Sequence, residues 1–167
     1  MSLHELPNWS WVDDDRLARE RIHSERLLAV CDAWDTDSGN LFLFGPTGLG
    51  KTAALTRMAR RWIRSGTANC VFYARELSID SGASTDKIAL AYAVKILILD
   101  GPDVVPPQRD FSPLIGDLLR HRLAATDKST IVAVTAKSTE FFAGTGVDPQ
   151  HLTTVEEWGY RWDAPEC

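Results

Sequence analysis

The chain has 167 residues, of which 44% are hydrophobic and 25% charged, with a formal net charge of -5. That length and balance fit one globular domain with a sizeable core, and the negative charge argues against broad nonspecific affinity for nucleic acid, though not against a local basic patch. No apolar run reaches membrane-spanning length and the N-terminus carries no signal-peptide pattern, so a cytoplasmic protein without membrane contact is expected.

Residues 1–13 read as an irregular N-terminal segment, and residues 14–167 as a single core domain without a separate lid domain. Trp9 and Trp11 suit packing as an anchor or cover for a nucleotide base. The acidic run Asp13-Asp14-Asp15 signals a helix start, because carboxylates favour the positive end of a helix. That helix is expected from about Asp14 to Trp34, with Leu17, Ile22, Leu27, Leu28 and Cys31 turned inward. Asp35 to Asn40 is polar and contains Gly39, a turn into the first strand. Leu41–Phe44 is a short apolar run of the kind a buried parallel strand shows.

Gly45-Pro46-Thr47-Gly48-Leu49-Gly50-Lys51-Thr52 follows that strand and fits G-x-x-x-x-G-K-[ST] at every fixed position. The chemistry needs these residue types. Glycines let the backbone approach a polyphosphate closely, and successive N–H groups form an anion nest. The next helix aims its positive end at the same phosphates. Lys51 supplies a charge for the β- and γ-phosphates, and the Thr52 hydroxyl suits Mg²⁺.

The helix from Lys51 to Arg64 is amphipathic, with Leu55, Met58, Ala59 and Trp62 on one face. Arg57, Arg60, Arg61 and Arg64 repeat on another, as a solvated face or a contact for a nucleic-acid backbone or an acidic neighbour. Cys70–Ala74 reads as a second strand, Ser78 to Thr85 as a loop, and Asp86 to Val94 as a short helix. Lys95–Asp100 is a buried strand ending in one carboxylate. Beside a phosphate loop such an Asp holds Mg²⁺ directly or through water. After a loop from Pro102 to Asp110, Ser112-Pro113 opens a helix running to about Ala125. Near its end Arg120, His121 and Arg122 form a basic cluster, placed for the helix dipole, a phosphate or DNA. Thr130–Thr135 is another core strand with a polar end. Thr139 to Phe142 opens a short helix, Gly144 to Gln150 is loop, and Val155 to Trp162 is read as a final strand. Cys31, Cys70 and Cys167 are far apart and odd in number, as expected of free thiols, and no His–Cys spacing suits a metal.

Strands alternating with helices predict an α/β fold, a parallel sheet with helices on both faces and a ligand at the carboxyl ends of the strands. The order and spacing of GPTGLGKT, ILILD, the helix ending LLRHRL and TIVAVTAKS resemble the AAA+ ATPase core of DnaC-like helicase loaders and IstB-like transposition helpers, over about residues 14–142. The resemblance implies a P-loop NTPase binding ATP and Mg²⁺, a helicase or transposase as partner, and a possible homo-oligomer. Carried over residue by residue, it assigns residues 45–52 to the nucleotide, with Thr52 and Asp100 at the metal. It assigns Lys51, Asp100 and Thr135 to catalysis. The family's second acid is replaced by Gly101, with Asp103 two residues later as a catalytic substitute if the loop folds back, and no arginine lies between Lys137 and Gln150 to act as a finger. Restoring an acid at Gly101 is therefore expected to raise hydrolysis. Two other readings fit the chain: a nucleotide-binding regulatory subunit with little turnover, and a small-molecule kinase.

Overall fold

The computed structural model describes residues 24–35, 38–46, 48–66, 71–74, 85–101, 113–135, 138–156 and 159–162. Ser24 opens the first helix, α1 (Glu25–Ala33), as its N-cap, with Oγ accepting from Leu27 N at 3.2 Å. Ser24 is extended (φ -118), so the helix expected from Asp14 onward is interrupted there. Residues 14–23 lie outside the described residues.

Then follow β1 (Asn40–Phe44), α2 (Lys51–Ser65), β2 (Val71–Ala74), α3 (Thr85–Ala93) and β3 (Ile96–Asp100). The chain continues through α4 (Pro113–Leu123), β4 (Ser129–Val134), α5 (Ser138–Thr145), a 3-10 turn at Pro149–His151, β5 (Leu152–Glu156) and β6 (Gly159–Trp162). The strands lie in the order β2-β3-β4-β1-β6-β5. β2, β3, β4 and β1 run parallel, with Phe44 opposite Val134 and Asp100 opposite Ala133.

Alternation along the parallel strands sorts the core into two layers. Leu41, Leu43, Ile96, Ile98, Ile131 and Ala133 face α1 and α2, with Leu27, Leu55, Met58 and Trp62. Phe42, Phe44, Leu97, Leu99, Val132 and Val134 face the other way, toward α3, α4 and α5. A strand's side chains change face at every residue, so an unbroken apolar run requires cover on both sides. That is the α/β layering predicted from the sequence.

The final strand differs from expectation. In place of one strand over Val155–Trp162 the chain forms a hairpin, with β5 and β6 antiparallel and β6 antiparallel to β1. The sheet is therefore mixed. An antiparallel pair needs only a tight connection, whereas another parallel strand would need a long crossover. α5 also runs on to Thr145 beyond the expected Phe142.

Candidate functional site at the carboxyl ends of the strands

Gly45 leaves β1 still tied to the sheet, its N–H donating to Val134 O at 3.2 Å. The loop turns into α2 at Gly50, whose left-handed backbone (φ 95) favours glycine. Gly50 O accepts from Ala54 N at 3.0 Å and starts the helical ladder. The opening N–H groups of a helix have no partner within it and face outward, as an anion site requires.

Lys51 is only 8% exposed, and its Nζ donates to Gly45 O at 2.6 Å and Pro46 O at 2.9 Å. The ammonium is thus folded back over the loop. Thr52 Oγ1 donates to Asp100 Oδ2 at 2.6 Å. Asp100 is buried at the last position of β3. Half-buried Thr135 follows directly on β4, which lies between β1 and β3. Lys51 with Thr52, Asp100 and Thr135, from three separate stretches of the sequence, thus share the carboxyl end of the sheet. Pro46, Gly48 and Leu49 complete the described loop, while Thr47 and Asp103 lie outside the described residues.

One hydroxyl and one carboxylate are hard oxygen donors of the kind Mg²⁺ takes, together with water and phosphate. Among the described residues no group of three or more His, Cys, Asp or Glu is placed to hold a metal ion. Of the described residues, Thr52 and Asp100 are the pair that would hold a cation, with phosphate and water beside them.

Gly101 differs from a plain strand residue. Its backbone is left-handed (φ 62) and its N–H donates to Ala133 O at 3.0 Å. The chain turns sharply at the very position where a second acid was sought.

The basic candidates are placed elsewhere. Arg57 Nε pairs with Asp32 Oδ1 at 3.0 Å. Arg60 is buried, and Arg61 donates to the carbonyls of Cys31, Asp32 and Trp34. Of the arginine stripe, Arg64 is the exposed member. The four do not form a common solvent-facing surface, because part of the stripe is used against α1.

The Arg120–Arg122 cluster is also divided. Arg120 donates to Thr145 O at 2.7 Å, and His121 packs edge-on to Tyr92 with ring centroids 5.2 Å apart. Arg122 is fully buried, donating to Thr130 Oγ1 at 2.8 Å, Ala91 O at 3.0 Å, Val94 O at 2.9 Å and Ser129 O at 2.8 Å. Ser129 opens β4, so this guanidinium sits at the amino end of the sheet, away from the loop. Helical spacing does place Arg122 on the face of Ile115, Leu118 and Leu119, but it names no partner for the charge.

The fold is an α/β sheet layered with helices on both faces, and its strand–loop–helix unit carries the G-x-x-x-x-G-K-[ST] pattern. Among solved structures, the crystal structure of DnaI is similar, with a TM-score of 0.52 at 20% identity, over 86% of this chain and 76% of that one. The likeness is one of fold. No protein-family model matches the chain, nor does any curated protein. Among the described residues no helix is long and apolar enough to cross a membrane.

Proposed function

We propose that this chain binds MgATP through Gly45–Thr52 and hydrolyses it slowly, as an AAA+-like protein resembling helicase loaders and transposition helpers. The observation that carries the reading is the Thr52–Asp100 hydrogen bond beside the loop that holds Lys51. In this reading Lys51 turns from the loop carbonyls to the β- and γ-phosphates. Thr52 and Asp100 hold Mg²⁺, and Thr135 meets the γ-phosphate from the adjacent strand. Asp103, two residues beyond Gly101 in the sequence, is the proposed carboxylate for the attacking water. A helicase or a transposase is the proposed partner, in the cytoplasm. Stacked copies of the chain would complete one another's sites.

One observation favours a second reading, a regulatory subunit that binds nucleotide with little turnover. Gly101 turns the chain where the resembling family carries its water-orienting acid. Loss of such a group costs about 10²–10⁴ in rate and leaves binding intact.

Titration with MgATP tests the common core of both readings. Saturable binding is expected, weakened about 10–100-fold in Lys51→Ala by loss of charge-assisted hydrogen bonds. Equal affinity in the two proteins would overturn the assignment. Phosphate release across protein concentrations then separates the readings. Turnover rising more than linearly supports an assembled ATPase, and background turnover supports the regulatory subunit.

A further inference from the structure

We propose that Arg61 couples α1 to the nucleotide site, so that occupancy of the phosphate loop is read out as docking of α1. The inference rests on the MgATP-binding reading above.

Three carbonyls at the end of α1 converge on one side chain. Arg61 Nη1 donates to Asp32 O at 3.0 Å, and Nη2 to Cys31 O at 2.9 Å and to Trp34 O. The last carbonyls of a helix have no partner within it, so their satisfaction decides whether the final turn is held or open. Here it comes from another helix. A guanidinium suits the task, since its fork of N–H donors reaches several acceptors at once and its charge opposes the negative end of the α1 dipole. Asp32 adds an ion pair to Arg57, one turn back along α2, at 3.0 Å. Beneath these contacts Leu27, Leu28, Val30 and Cys31 share a buried cluster with Leu55, Met58 and Trp62.

The helix carrying Arg61 is the one that begins at Lys51. Residue 61 lies ten positions on (61 − 51), about 15 Å along a continuous helix. Undocking α1 would strip the polar cover from α2 and expose its buried face. A ligand at the start of α2 opposes that opening by as much as it binds the loop more tightly with α1 docked, and that difference is the coupling proposed. The coupling is reciprocal, so whatever engages α1 alters nucleotide affinity by the same factor.

Hydrogen–deuterium exchange of the full chain, with and without saturating MgATP, tests this. In the wild type, amides of residues 25–33 and of the first turns of α2 are both expected to slow, those of α1 by about fivefold or more, the lower end of ordinary couplings. In Arg61→Met, which keeps the apolar stem and removes the donors, α2 still slows and α1 does not. Arg61→Lys, with a single ammonium for three carbonyls, gives an intermediate effect and carries the same test should the Met variant fail to fold. Slowing of α2 alone in the wild type overturns the coupling and leaves nucleotide binding standing. Undiminished slowing of α1 in both variants overturns the role of Arg61. Slowing of neither helix, with no saturable binding, overturns the nucleotide reading and this inference with it.

Discussion

Thr52 and Asp100 lie 48 positions apart in sequence, yet the hydroxyl of one donates to the carboxylate of the other at 2.6 Å. Such a bond fixes both oxygens at the mouth of the phosphate loop before any ion arrives. If they hold Mg²⁺, Asp100→Asn removes the anionic donor while preserving size. Affinity for ATP with Mg²⁺ present is then expected to fall about 10–100-fold, the usual cost of disturbing a metal's supporting groups. Affinity in EDTA should scarcely change. Parallel titrations of a fluorescent ATP analogue measure both, and an equal loss in both conditions would assign Asp100 to the fold instead.

Gly101 next to that carboxylate has its own constraint. At φ 62 a Cβ meets the following carbonyl, which costs about 1–2 kcal/mol for most residues. Gly101→Ala should lower the unfolding free energy by about that amount, read from the urea midpoint at unchanged slope. Asp tolerates this region better than most residues, so Gly101→Asp should fold with a smaller loss. Its carboxylate would leave the backbone in a different direction from that of an extended strand residue. The sequence alone predicts faster hydrolysis from this change. With the turn in view, turnover is expected to stay near the parent rate. A rise of about 10²-fold, as for a restored water-orienting group, would show that the turn rearranges.

The site was legible in the sequence largely because its signals are local. GPTGLGKT between an apolar run and an amphipathic helix specifies a strand–loop–helix unit, and ILILD marks a buried strand by its unbroken apolar run. Which strands become neighbours is not local, and alternation does not encode strand direction, so the single strand expected over 155–162 is in fact part of a hairpin over 152–162. The arginines stay ambiguous in sequence for a related reason. Helical spacing says which residues share a face, not what that face meets. Arg61 and Arg122 both end at the carbonyls of neighbouring helices, acceptors that helical spacing does not identify.

Arg122 supplies a stability test that should spare the site. Its buried guanidinium satisfies carbonyls at the end of α3 and the start of β4, and burial pulls its pKa down to about 10, so it remains charged at neutral pH. Arg122→Met would leave several buried acceptors without donors, at roughly 1–3 kcal/mol each. A loss of about 3 kcal/mol or more in urea unfolding is expected. Arg122→Lys should recover only part of it, since an ammonium lacks the planar fork. Nucleotide affinity of the folded variant should be unchanged, because the residue lies at the opposite end of the sheet. Weakened MgATP binding in a folded Arg122→Lys would show that the two ends communicate.

Cys31 predicts how stability depends on alkaline pH. Burial, and then the neighbouring Asp32 carboxylate, push its thiol from 9.0 up to about 12. Between those values the unfolded chain releases a proton that the folded chain retains. The folded state's advantage is therefore complete below about pH 9 and is lost progressively as pH rises toward 12, by about 1.4 kcal/mol at pH 10. Tyr92 acts in the same direction, raised to about 12 by burial and its hydrogen bond to Asp117, so the decline has more than one source. Cys31→Ala removes one source and costs some packing at every pH. The variant should be less stable at pH 7, yet its stability should fall more gently from pH 8 to 10. Urea unfolding at several pH values gives both slopes. Equal slopes would mean that the thiol ionises as readily in the folded chain as in the unfolded one.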